Sequence, residues 1–169
     1  RFWHREGGYL YDVIDDPQKG NDASLRPNQL FAVSLPYAPL DAKSDRARAV
    51  VDSCLRELVT PVGLRSLAPG SSEYRPYFTG GPLERDGAYH QGTVWGWLIG
   101  PFVEAHYKVY GDKEKAIGFL QPLAARIEEY GLGSLAEVYD ATEPFKPGGC
   151  IAQAWSVSEA LRMWRRLNG

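Results

Sequence analysis

The chain has 169 residues and a formal net charge of −2, with both signs interspersed, which is long enough for one sizeable core. It has no basic stripe for nucleic acid and no polybasic anchor, so the expected partner is small or uncharged. No apolar run reaches the ~18 residues of a membrane helix, and the opening RFWHREGGYLYDV lacks the charged-then-apolar plan of a secretory leader.

In chain order, FWHREGGYLYDVID reads as a hairpin: Gly7-Gly8 supplies the turn, and Tyr9, Tyr11 and Val13 share a face at period two. RPNQLFAVSL starts a short helix, with Arg26-Pro27 at its beginning. From Ser44 to Thr60 the residues Ala47, Val50, Val51, Cys54, Leu55 and Leu58 recur at helical spacing behind a Ser cap, which predicts an amphipathic helix. The stretch from Thr60 to Gly92 shows no helical period, and a connection of that length in a compact domain is expected to build a site. A helix over Thr93 to Tyr110 is apolar nearly all round through Val94, Trp95, Trp97, Leu98, Ile99, Phe102 and Val103. It is expected to be buried on both sides and kinked or split at Pro101. A second amphipathic helix, Asp112 to Tyr130, turns Ala116, Leu120, Leu123 and Ile127 inward, with Pro122 as another kink. The strand-like run GSLAEVYD then carries Glu137, and Gly148-Gly149 feeds a last helix, Ile151 to Leu167. That helix is expected to bury Ala154, Val157, Leu161 and Trp164 and to leave Arg162, Arg165 and Arg166 wet.

This rhythm of long loop, buried helix and amphipathic helix predicts a mainly α ring of paired helices, inner ones apolar and outer ones amphipathic, with the loops converging at one end. No motif calls for a cofactor: GTVWGW lacks the Lys and the spacing of a phosphate loop. Cys54 and Cys150 lie far apart and in no metal-ligand spacing, so a reduced, cytoplasmic protein without a metal site is expected. Five Trp and ten Tyr against one Met suit either a core or a cleft that stacks on sugar rings.

Glu137 is the leading candidate for chemistry. It sits beside Tyr139 and near a helix start, whose dipole favours an ionised carboxylate; the alternative is an exposed or salt-bridged Glu. His90 is placed to donate to a sugar hydroxyl or to cap locally. Trp95 and Trp155 are either sugar-stacking platforms or core. Gln91 and Gln153 follow glycines at helix starts, where a side chain reaches into a cleft. Arg26 and Asn28 occupy another loop-to-helix junction, fixing the rim or touching substrate. Asp86 and Glu73 are the remaining carboxylates of the long loop, with solvated loop charges as the alternative, and nothing in the sequence around Asp86 predicts a raised pKa.

RPNQLFAVSLP, YHQGTVWGWLIGPF, LAEVYD and GGCIAQAWSVSEALR, in this order, resemble the C-terminal glucosidase domain of glycogen debranching enzymes, the amylo-alpha-1,6-glucosidase family, over nearly the whole chain. The resemblance implies an (alpha/alpha)6 barrel and hydrolysis of α-1,6 branch linkages in glycogen-like glucans with inversion. It also implies an α-glucan as partner and Glu137 as general base. The family's general acid is an Asp upstream of the hairpin. The chain is therefore expected to be the C-terminal portion of one domain without internal boundary, inactive by itself. Two alternatives stand beside this: a trehalase- or glucoamylase-like α-glucosidase on the same barrel, and a non-catalytic carbohydrate-binding or interaction fragment. The helical runs are too few to enclose the apolar helix, so self-association or pairing with the missing N-terminal half is expected.

Overall fold

A computed structural model describes all 169 residues. At the N-terminus β1 (Trp3–His4) and β2 (Tyr9–Leu10) pair antiparallel around Gly8, whose φ of 70° suits glycine. A second hairpin follows at once, β3 (Val13–Asp16) with β4 (Gly20–Asp22), so Val13 belongs to this pair and is exposed. Pro27 opens a 3-10 turn that continues into α1 (Phe31–Ser34).

The helix α2 (Asp45–Glu57) forms where its stripe predicts. Ser44 Oγ accepts the Ala47 N–H at 3.2 Å, and Ala47, Val50, Val51 and Cys54 are buried. The long connection is not structureless. It begins with β5 (Val59–Thr60) and β6 (Gly63–Arg65), and it carries α3 (Pro82–Ala88), a helix exposed along most of its length and therefore without an apolar period.

The apolar helix is shorter than its pattern. Val94 and Trp95 form β7 (Val94–Trp95), Gly96–Leu98 is a 3-10 turn, and α4 (Ile99–Tyr110) begins only then. Pro101 consequently lies in the first turn, where its missing N–H has no partner to lose, and it marks the start of the helix instead of breaking it. The expected helix over Asp112 to Tyr130 is three pieces: α5 (Lys113–Gly118), capped by Asp112; α6 (Gln121–Ala124), opened by Pro122; and a 3-10 turn, Ala125–Glu128. Ala116, Leu120 and Leu123 are buried as expected, but Ile127 is exposed, because the change of axis at Pro122 carries it out of the stripe. The remaining elements are β8 (Val138–Tyr139), β9 (Pro147–Gly148) and α7 (Ala154–Asn168).

Strands β5 to β9 form one antiparallel five-stranded sheet in chain order, so the molecule mixes helix and sheet and the expectation of a mainly α fold holds only in part. Strands of two or three residues are too short to print an alternating pattern on the sequence.

Helix α4 is the centre of the core, packed by α1, α2, α5 and α7, with Phe102, Val103 and Ala105 fully buried. Its cover therefore comes from this chain, and the expectation that a second copy is needed to enclose it loses its basis. The uncovered apolar surface lies elsewhere, on α7. There, against expectation, Ala154 is exposed and Leu161 and Trp164 are 60% and 47% exposed, while Val157 packs on the core as expected and Ser156, Met163 and Leu167 are buried. The cause is ionic. Arg162 and Arg166 of α7 are not free in water but reach the buried Glu104 of α4, at 2.8 Å and 2.7 Å. The Arg162 contact is an aligned hydrogen bond. The Arg166 contact is a close pairing of charges without that alignment, leaving Glu104 Oε1 without a hydrogen bond. The two helices can approach because α7 passes Gly100, where any Cβ would run into Glu159. Lys108, one turn beyond Glu104, donates to the carbonyls of Ser34 (2.6 Å) and Leu35 (2.8 Å) and so closes the end of α1. No helix is long and apolar enough to cross a membrane.

Candidate active site

Glu137 stands immediately before β8, and the pairing of β8 with β9 brings the Gly148-Gly149-Cys150 turn against it. Glu137 N–H donates to Cys150 O at 3.0 Å, and Cys150 N–H returns a bond to Glu137 Oε2 at 2.9 Å. Gly149 has a φ of 68° and packs directly on this carboxylate, so a side chain there would be both strained and in collision. That is the physical content of the Gly-Gly pair. The first turn of α7 is tied to the same strand. Gln153 N–H donates to Leu135 O at 2.9 Å, and Ser156 Oγ to Ala136 O at 3.0 Å. Half-buried Glu137 thereby meets the N-terminal end of α7, where the helix dipole favours a negative charge.

The other donors to Glu137 are side chains. Tyr89 Oη donates to Oε1 at 2.5 Å and Gln153 Nε2 to the same oxygen at 3.4 Å. Burial first, and then the bond to Glu137, push the Tyr89 phenol far above its ordinary range, so it is a fixed proton donor. Tyr89 was not singled out in the sequence, although it opens the YHQG motif. Its partner lies 48 residues away, and nothing local announces it.

A cleft of about 220 Å³ is walled by Asn28, His90, Trp95, Trp97 and Trp155, with Arg26 at its edge; Glu137 is not part of its wall and is linked to it through Tyr89, whose ring packs on His90 and Trp95. Trp155 is 43% exposed and stacks on Trp97 at 5.2 Å, so one of its faces is free for a ligand. Trp95 is not a platform. It is 4% exposed, held by Nε1–H donation to Tyr89 O at 2.8 Å, and it forms the cleft's back wall. His90 stacks on Trp95 at 4.9 Å and is exposed on its other side. Partial burial and the charge of Arg26 lower its pKa against the opposing pull of Glu137, which leaves a neutral imidazole able to donate and accept.

Arg26 is a bracket. It donates to His90 O at 2.6 Å, Ser66 O at 3.1 Å and Gln91 Oε1 at 2.6 Å, and it pairs with Asp12 at 3.5 Å. Gln91 is spent in the same bracket, its amide nitrogen turned to Glu73 at 3.4 Å, so it does not reach into the cleft. Asn28 is exposed at the rim, 3.4 Å from Asp12. Asp86 is exposed on α3 and Glu73 is exposed as well, and neither lines the cleft. Trp97, whose sequence pattern reads as helix core, lines the cleft as well as packing against the core. Asp140, of the VYD motif, accepts the Phe78 N–H at 2.7 Å and holds the Pro76–Phe78 segment against Tyr89.

Glycoside hydrolysis uses a pair of carboxyl groups, and a half-buried carboxylate with fixed donors has the form of one of them. The chain belongs to the family described as Amylo-alpha-1,6-glucosidase, whose model matches residues 1–162. It is 35% identical over 109 residues to the glycogen debranching enzyme of Saccharomyces cerevisiae, covering 59% of this chain and 7% of that protein's length. In fold it is similar to the GH63 mannosylglycerate hydrolase of Thermus thermophilus, an α/α toroid. The TM-score is 0.65 to the complex with Tris (24% identity, 98% of this chain, 35% of that one) and 0.63 to the complex with glucose (22%, 98% and 36%).

Proposed function

We propose that this chain is the base-bearing portion of an (alpha/alpha)6 barrel that hydrolyses α-1,6-glucosidic branch linkages of glycogen-like glucans with inversion. The observation that carries the proposal is the Glu137 carboxylate, held by Tyr89 and by the Cys150 N–H, with the Tyr89 ring packed on His90 and Trp95 of the Trp155 cleft. A glucosyl ring laid on the free face of Trp155 puts its hydroxyls within the range of His90 and Asn28. Water on the far side of the anomeric carbon gives its proton to Glu137 while oxygen attacks carbon, and the bond to the leaving glucan oxygen breaks. That oxygen needs a proton from a carboxylic acid on the opposite face, roughly 6.5–9.5 Å from the base. Glu73 and Asp86 do not qualify, so the acid comes from the remainder of the barrel. The α-1,6 linkage is supported by the family and by the debranching relative. The exposed, free Cys150 thiol beside the base suits a reducing, cytoplasmic setting.

The test is hydrolysis of an α-1,6-glucosyl-branched maltodextrin by the complete domain, with the anomer of the released glucose followed by NMR. Release of β-glucose and loss of ~10²-fold or more in kcat for Glu137→Gln are expected. Release of α-glucose, or a Glu137→Gln variant that keeps more than about a tenth of the turnover, overturns the proposal.

A further inference from the structure

The geometry points to Tyr89 as the positioning residue that fixes which oxygen of Glu137 takes the water proton; this rests on Glu137 being the general base. A carboxylate offers about four acceptor sites, two on each oxygen. On Oε1 both are directed at protein donors, Tyr89 Oη at 2.5 Å and Gln153 Nε2 at 3.4 Å. On Oε2 only the Cys150 N–H binds, at 2.9 Å, which leaves one acceptor site of that oxygen open. Oε2 is therefore the oxygen that receives the proton, and Tyr89 keeps it turned toward the water.

Tyr89 is built to hold that position. Its ring packs against Trp95 at 4.7 Å, His90 at 4.8 Å and Phe78 at 5.4 Å. Its carbonyl accepts two hydrogen bonds of 2.8 Å, from Thr93 Oγ1 and from Trp95 Nε1. Neither ring nor backbone can follow a moving carboxylate, so the carboxylate must conform to the phenol. The terminal torsion of a Glu side chain is broad and roughly two-fold. Without the hydroxyl, only a bond from a glycine-flanked turn and one long amide contact resist its rotation. The other ionisable groups around the pair are His90, which feels the Glu137 charge, Arg26 behind His90, and Asp86 and Cys150, which act on the Tyr89 phenol.

The experiment compares Tyr89→Phe, Glu137→Gln and wild type in the complete domain on the same branched maltodextrin. Tyr89→Phe keeps the packed ring and removes one oxygen. The expected result is a kcat lower by about ten- to a hundredfold, the factor a hydrogen bond to a charged group is worth. KM should change by less than about twofold, since the ligand does not touch Tyr89. The acid limb of the kcat/KM profile should move to higher pH, because the lost bond favoured the ionised carboxylate. Replacing Tyr89 with 3-fluorotyrosine, a stronger donor of nearly the same shape, should move that limb to lower pH. A phenol that merely fills space leaves the limb unmoved in both variants, and that result, or a wild-type kcat for Tyr89→Phe, overturns the assignment to Tyr89 while an inactive Glu137→Gln upholds the base. An active Glu137→Gln removes the base itself and the positioning role with it.

Discussion

The ionic link between α4 and α7 allows a prediction whose sign depends on which partner is removed. Glu104 is 4% exposed, whereas Arg162 and Arg166 keep 42% and 49% of their side chains in water. At an effective dielectric constant near 20, a pair at about 4 Å attracts by about 4 kcal/mol, and half-solvated guanidinium groups retain only part of that. In Glu104→Gln, Arg162 keeps its pairing with Glu159 and Arg166 turns back to water, so the cost is the lost attraction less the desolvation that Glu104 no longer suffers, about 1–2 kcal/mol. In the double variant Arg162→Met/Arg166→Met the buried carboxylate stays behind. Lys108, at 4.0 Å and already committed to the α1 carbonyls, cannot replace two guanidinium groups. An uncompensated buried charge costs about 3–5 kcal/mol. Urea unfolding at neutral pH, followed by circular dichroism, gives both differences from the midpoint and slope. If Glu104→Gln proves as destabilising as the double arginine variant, Glu104 is not the partner that burial penalises, and the account of why α7 turns its apolar side outward fails.

The two cleft tryptophans should separate in the same assay. Trp95→Ala, in the wall, should lose about 3–5 kcal/mol of stability. Trp155→Ala should lose less than about 1 kcal/mol while weakening glucan binding measured by calorimetry. Gly149→Ala should lower hydrolysis by the complete domain at least ~10-fold, because the added methyl group displaces the Glu137 carboxylate, and should also lower the melting temperature, because Ala is strained at a φ of 68°. His106, buried on α4 with Nδ1 unpartnered, has its pKa lowered by burial and then by the charge of Lys115. The unfolded chain thus takes up a proton near 6.5 that the folded chain refuses, and stability should fall as pH drops through that value. Urea midpoints at pH ~7.5 and ~5.5 check the sign, and His106→Phe should remove part of the slope.

The sequence announced an element wherever one face of a single helix decided the matter. The α2 stripe and its Ser44 cap were legible because every determinant lies within the helix itself. Glu137, Gln153 and the glycines between them were legible as a motif, and the fold brings them together within one turn of chain. What escaped depends on partners distant in sequence. Trp95 and Trp155 are the same residue type, and only the pairing of Trp95 with Leu64 and Val138 makes one a wall and leaves the other a free ring. The orientation of α7 follows from Glu104, 58 residues before Arg162, against the preference of its own apolar side chains. Pro101 and Pro122, expected as kinks, lie in first turns and begin their helices.

The loop from β8 to β9 and the turn after it differ in how freely their lengths can change over evolution. Asp140 N–H donates to Lys146 O at 2.9 Å and Ala141 and Phe145 are buried in the core, so only the tip between those two residues, where Glu143 and Pro144 are exposed, can lengthen without altering the strands. Between Gly148 and Gln153 the chain has no such slack, since the donors at both Cys150 and Gln153 must land on one carboxylate. A single inserted residue there would carry one of them away. Descendants of this sequence are therefore expected to vary in length at the tip of the β8–β9 loop, and to keep a fixed count from Glu137's partner turn to the start of α7.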